Sequence, residues 1–290
     1  MAHSSGSTGG TENNNSLQQL ISPQELNDRF NEVISMVRGE RNRTELDVNE
    51  YVVSKESTYW GDFCKTAHLP PSKVDANEFK DFLLKCGDAL RKLGEPLAAS
   101  ELYYLEYIKR YSLNTGNNNS DKEKKEQKVA TTASRKDILR YVLVVYGKSE
   151  CDKELLLQND SSLIFKKTIQ KFLNILNDLR KAMDVCLNLG KMYKGNDSLY
   201  WLVHDGCVLS ANLCDSLVVA GYGSQVVEFY VWCILSLEVF VELSTVKYLK
   251  FHVSLYIRCC QAYDSCNNIS HALRCAKRGL NKVNQLAAEE

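Results

Sequence analysis

From Leu26 onward, apolar side chains recur at steps of three and four, the spacing of one buried face of an α-helix. Strand-type alternation with hairpin turn pairs is missing. All four prolines (Pro23, Pro70, Pro71 and Pro96) precede Leu97, so nothing forces a helix to break over the rest of the chain. The pattern predicts an all-α fold of about nine or ten helices joined as antiparallel hairpins.

Ser22 and Glu25 form a capping box, with Pro23 at the first helical position, where its missing N–H costs little. Leu26, Phe30, Val33, Ile34 and Val37 follow at helical spacing until Gly39 stops this first helix. Further helices are expected at 45–67, 76–93 and 95–111, the last two joined by Leu93-Gly94-Glu95-Pro96. A helix at 135–146 and a short irregular piece then precede the longest helix, 161–192. There Phe165, Ile169, Phe172, Leu176, Leu179, Met183 and Cys186 form a seam with alternating steps of four and three. Leu173, Ile175 and Val185 widen that seam, which suits packing inside a bundle better than a coiled coil. The last helices read 198–220, 224–243, 245–265 and 270–287, with short turns between them. The stretch 226–241 is apolar on nearly every side and is expected to be the most buried helix.

Two segments lack this pattern. Residues 1–21, rich in Gly, Ser, Thr and Asn, read as a disordered tail. Residues 114–134 carry an Asn-rich run and then alternating lysines and acids, which reads as a mobile charged loop. Residues 22–290 are thus expected to form one helical-repeat domain around that loop.

Small residues opposite bulky ones suggest repeats. Leu83, Gly87, Leu90, Gly94, Ala99 and Tyr103 follow the interior spacing of a tetratricopeptide hairpin, in which a small residue lets two helices approach closely. Leu213, Cys214, Leu217, Gly221, Val226, Tyr230 and Cys233 repeat it, as do Tyr256, Cys259, Cys260, Tyr263, Ala272, Ala276 and Gly279. Gly87, Cys214 and Cys260 lie 127 and 46 residues apart, against about 34 for the regular repeat, so the reading is a tetratricopeptide-like α-α superhelix of irregular hairpins. In such arrays the first helix of each pair lines the concave face. That register predicts a partner-binding face at Asp81, Asp88, Arg91, Asp215, Gln261 and Asp264, acidic enough to favour a basic peptide or helix.

Charge and chemistry narrow the function. Lys plus Arg (36) equals Asp plus Glu (36), which argues against nucleic acid, whose binders neutralise phosphates. Residues 1–16 contain no apolar run of the signal-peptide kind. The closest approach to a membrane span, 226–243, carries Glu228, Glu238 and Glu242, so no membrane is expected. Eleven cysteines without a secretion signal read as reduced thiols acting as small hydrophobes. No Cys-x-x-Cys or His/Cys spacing fits zinc. His204, Asp205 and Cys207 share a helix, but no oxyanion-hole loop accompanies them, and Gly221-Tyr222-Gly223 is too short for a phosphate loop. The residues therefore point to a protein-binding scaffold without cofactor, metal or catalytic role.

Val226-Val227-Glu228-Phe229-Tyr230-Val231-Trp232-Cys233, Leu243-Ser244-Thr245-Val246-Lys247-Tyr248-Leu249 and Cys260-Gln261-Ala262-Tyr263 resemble the amino-terminal region of the cilia- and flagella-associated protein 54 family. Gly94-Glu95-Pro96-Leu97-Ala98-Ala99-Ser100 looks like that family's first hairpin turn. The resemblance implies a structural role in the ciliary and flagellar axoneme, in a projection of the central apparatus required for cilium assembly and beating. Implied partners are other axonemal or helical-repeat proteins, microtubule-associated ones among them. Rival readings are a cytosolic adaptor subunit unrelated to cilia, and a helical lipid carrier or enzyme built around Trp232.

Overall fold

The computed structural model describes residues 21–44, 75–111, 134–192, 199–240 and 243–288. The helix expected at 45–67 and nearly all of the loop at 114–134 and of the tail lie outside them. Among the described residues all regular structure is helical. Nine helices follow in order: α1 (Pro23–Thr44), α2 (Ala76–Lys92), α3 (96–111), α4 (Arg135–Asn159), α5 (Lys166–Met192), α6 (Tyr200–Val219), α7 (Gly223–Val239), α8 (Val246–Ser265) and α9 (Ile269–Ala288).

Local chemistry explains most boundaries. Ser22 Oγ accepts the Glu25 amide at 3.2 Å, but the Glu25 carboxylate lies 3.7 Å from Arg29, so only half of the expected capping box is present. Helix α1 then runs through Gly39 to Thr44, since one interior glycine costs only about 1 kcal/mol. Asp75 caps α2 by accepting the Asn77 and Glu78 amides. Ser134 does the same for α4 through the Lys136 amide. Asp160 binds the Ile164 and Phe165 amides at 3.1 and 3.0 Å, which delays α5 to Lys166 rather than 161 and leaves Phe165 exposed. The rest of the predicted seam, Ile169 to Cys186, is buried.

Three hairpins turn by the same device. After α2 the Gly94 amide bonds to the Arg91 carbonyl and the Glu95 amide to the Leu90 carbonyl. After α6 the Gly221 and Tyr222 amides do so with Val218 and Leu217, and after α8 the Asn267 and Asn268 amides with Asp264 and Tyr263. Gly94 (φ +72°), Gly221 (φ +89°) and Asn267 (φ +56°) occupy the left-handed position this motif requires. Links this short return the chain antiparallel to itself.

Two sequence expectations are corrected here. The segment after Tyr146 is not irregular: α4 continues to Asn159, because Ser149 and Cys151 are buried and Asp152 accepts a hydrogen bond from Ser100 of α3. Nor is the 226–241 stretch the most buried helix. Helix α7 exposes Leu235 and Val239 and buries seven residues, whereas α6 buries nine. Among the described residues, helix α6 is also the one long and apolar enough to cross a membrane by length and composition alone. Its buried apolar side chains pack into the larger core, chiefly against α5, α7 and α8.

Each helix packs on the next, and α2 also touches α4, α4 touches α6, and α6 touches α8. Helix α4 joins two cores. Val144 and Cys151 complete an aromatic cluster with Phe82, Tyr103, Tyr104 and Tyr107, while Ile138, Val142 and Tyr146 face the larger cluster built from α5 to α8. Within α3, a π-helical stretch at Ala99–Tyr104 lets consecutive Tyr103 and Tyr104 both point inward.

Candidate partner-binding site

The predicted partner residues lie on α2, α6 and α8, and most of them hold neighbouring helices together. Asp81 receives both Nε and Nη2 of Arg140 at 2.6 Å, a two-pronged pair from α2 to α4. Lys136 lies 3.3 Å from the same carboxylate. These bonds, the Arg140 pair foremost, hold Asp81 below the usual carboxylate range. Arg91 pairs with Glu150 of α4 and sits near Asp88. Asp88 accepts a hydrogen bond from Tyr104 at 2.6 Å, and Asp215 one from Tyr230 at 2.5 Å. Arg258 of α8 approaches Asp215 at 3.1 Å. Gln261 and Asp264 are exposed on α8.

A recurrent latch thus emerges that the sequence pattern did not reveal. A carboxylate on one helix takes a tyrosine hydroxyl from the next helix and, twice, an arginine from the helix after that. Asp215 of α6 takes Tyr230 of α7 and Arg258 of α8. Glu238 of α7 takes Tyr256 of α8 and Arg278 of α9. The available signal was an acid followed by tyrosine 15, 16 or 18 residues later, across the hairpin turn. Burial foremost, then the neighbouring carboxylate, pushes Tyr104, Tyr230 and Tyr256 well above the ordinary phenol range, so they remain proton donors. Tyr230→Phe is expected to cost about 1.5 kcal/mol, the size of a hydrogen bond to a charged group. Urea unfolding followed by circular dichroism reads the loss, and an unchanged midpoint would mean that ring burial alone holds the hairpin.

Glycines set the close approaches. A β-carbon at Gly87 or Gly147 would run into the Tyr104 ring, and one at Gly279 into Tyr256. The small residues singled out at 87 and 279 therefore seat the same tyrosines that make the latches.

The one constellation resembling catalytic chemistry is taken apart by the packing. Cys207 is buried and directs its thiol at the Cys233 carbonyl on α7, and burial pushes it far above the ordinary thiol range. His204 bonds to Asp205 at 3.2 Å and packs its ring on Tyr248 and Phe251 of α8. Among the described residues no group of three or more His, Cys, Asp or Glu side chains is arranged to hold a metal.

Comparison with known proteins gives this hairpin stack its family. The family model described as cilia- and flagella-associated protein 54 matches residues 70–290. The chain belongs to the cilia- and flagella-associated protein 54 family. The human protein of that name is 26% identical over 215 residues, covering 74% of this chain, and the mouse protein is 25% identical over the same length. The Chlamydomonas reinhardtii protein of that name is 29% identical over 148 residues, 51% of this chain. The chain spans 7% of the length of the human and mouse cilia- and flagella-associated protein 54 relatives and 5% of the algal one. The match takes in α2 to α9 and therefore every latch described above.

Proposed function

We propose that the chain is a structural scaffold of the ciliary or flagellar axoneme, acting in a projection of the central apparatus by binding other proteins and catalysing no reaction. The supporting observation is the family match laid over a continuous stack of hairpins, in which most of the predicted site residues are tied to neighbouring helices. Its partners in this reading are other axonemal or helical-repeat proteins. Of the six residues expected to meet them, Gln261 and Asp264 are the exposed pair and the ones assigned to contact.

A fluorescently tagged copy expressed in ciliated or flagellated cells tests this. The expected result is enrichment along the axoneme that survives detergent extraction of the membrane, with impaired beating on depletion. Diffuse cytosolic signal with normal beating would sink the axonemal role and leave a cytosolic adaptor.

A further inference from the structure

Four hairpin turns come to one end of the stack. Lys80–Asp137 and Arg91–Glu150 join α2 to α4 along their lengths, and His204–Tyr248 and Asp215–Arg258 join α6 to α8, so these helices run parallel. Short links set α3, α5, α7 and α9 antiparallel to them. The α2–α3, α4–α5, α6–α7 and α8–α9 turns therefore share an end. The four most exposed large apolar side chains among the described residues project there: Val219 (90% exposed), Ile164 (73%), Ile269 (70%) and Phe165 (64%). In the α4–α5 turn this exposure is built into the backbone. Leu163 is buried in a left-handed conformation (φ +51°), which leucine adopts only at a cost. Asp160, itself buried, holds the next two amides, and the turn swings Ile164 and Phe165 out of the helical seam.

Charge, hydrogen bonding and shape together indicate what this end meets. Residues 161–168, 219–227 and 265–273 contain no Asp or Glu, and exposed Lys166 and Lys167 directly follow Phe165. An anionic surface complements such a composition. The turn amides are already paired within the chain: Leu163, Ile164 and Phe165 with Asp160, Ala220 to Tyr222 with the end of α6, and Cys266 to Asn268 with the end of α8. Tips of this kind enter an apolar boundary without stranding a donor. The apolar groups also stand on separate turns, not in a stripe at helical spacing, which suits a fluid layer better than a partner helix. A second copy meeting this end with its own same end would set lysines against lysines. Helix α9 begins here at Ile269 and carries the chain to the opposite end of the stack.

We propose that this turn edge is a peripheral docking surface for an anionic lipid bilayer. Ile164, Phe165, Val219 and Ile269 enter the headgroup boundary, and Lys166 and Lys167 meet the anionic headgroups. This is a contact along the membrane surface, not a span, and it goes beyond the scaffold reading without resting on it. The test is sedimentation of the purified chain with vesicles of about three parts phosphatidylcholine to one of phosphatidylserine, against phosphatidylcholine alone. Saturable, salt-sensitive binding to the phosphatidylserine vesicles is expected. It should weaken at least about tenfold in Ile164→Ser with Phe165→Ser, and as much in Lys166→Glu with Lys167→Glu. Leu235→Ser, exposed on α7 away from the turns, should bind like the parent chain. All these positions are exposed, and an unchanged thermal midpoint in each variant shows that the fold is intact.

Absence of saturable binding, equal binding to both kinds of vesicle, or equal binding by every variant overturns the proposal. So does concentration-dependent self-association abolished by Phe165→Ser, which would assign the edge to a second copy. Tighter binding of an acidic amphipathic peptide than of vesicles, lost in the same variants, would assign it to a protein and overturn it equally. Vesicle binding is read on the purified chain, so mislocalisation in cells would sink the axonemal reading and leave this one standing.

Discussion

Gly206→Val is expected to destabilise the fold by about 3 kcal/mol, through overpacking at the crossing of α4, α5 and α6. A β-carbon there would overlap the Met183 sulfur and the Tyr146 hydroxyl. Met183 is flexible enough to yield, but Tyr146 is not. Its hydroxyl donates to the Leu202 carbonyl at 2.7 Å, inside a core where neither group has access to water. Displacing that ring therefore breaks a buried hydrogen bond as well as the packing. Urea titration should show a clearly lower midpoint at unchanged slope. Gly221→Asn is the control: position 221 is left-handed with open space around it, and asparagine tolerates that conformation. If the two variants unfold together, the crossing is looser than its geometry indicates.

Asp81→Ala is expected to cost about 3 kcal/mol, because it strands a buried guanidinium rather than because it removes a surface charge. The Arg140 side chain is only 3% exposed, and Asp81 supplies its two shortest bonds; the bonds that remain, to Asn77 and Asp137, are 3.2 to 3.4 Å long. The Asp81 carboxylate is itself more than a third exposed, so the loss is charged to Arg140. Replacing both partners, Asp81→Leu with Arg140→Met, should recover most of the loss, since a buried pair contributes little over apolar residues of similar size. A double variant no better than Asp81→Ala would reject this account.

The same pair sets an acid dependence. The folded state holds Asp81 below its ordinary pKa, chiefly through Arg140, so its contribution is full above the unfolded-chain value of about 3.9. That contribution disappears as pH falls from there through the folded value. Glu238 behaves alike: burial alone would raise it, but the bonds from Tyr256 and Arg278 outweigh burial and hold it low. Unfolding free energy should therefore fall below about pH 4, and less steeply in Asp81→Ala than in the parent chain. Parallel pH curves would show that Asp81 and Arg140 do not interact in solution.

The hairpin turns were legible because their chemistry is local. Gly94 and Gly221 mark chain reversal, since a left-handed residue is needed within a few positions of the helix end. The seam from Ile169 to Cys186 was legible for a similar reason, as its period alone names the buried face. Arg140 and Asp81 were not legible as a pair. They lie 59 residues apart, and helical periodicity says which side chains share a face but not which face meets which. An acidic concave surface was therefore expected where four of the six residues are engaged between neighbouring helices. The length of α4 escaped for the same reason, since its second half is held by contacts with α2 and α3.

Local order in this chain follows from periodicity, capping and turn residues, and so the sequence by itself determined an all-helical hairpin architecture and most of the residues that face inward. Pairing of charges between helices is a property of their placement in space. Only the tertiary structure could decide that Asp81, Asp88, Arg91 and Asp215 fasten the stack while Asp264 and the apolar side of α9 stay exposed. A charge takes its role from what lies within a few ångströms of it, and chain order does not encode that distance.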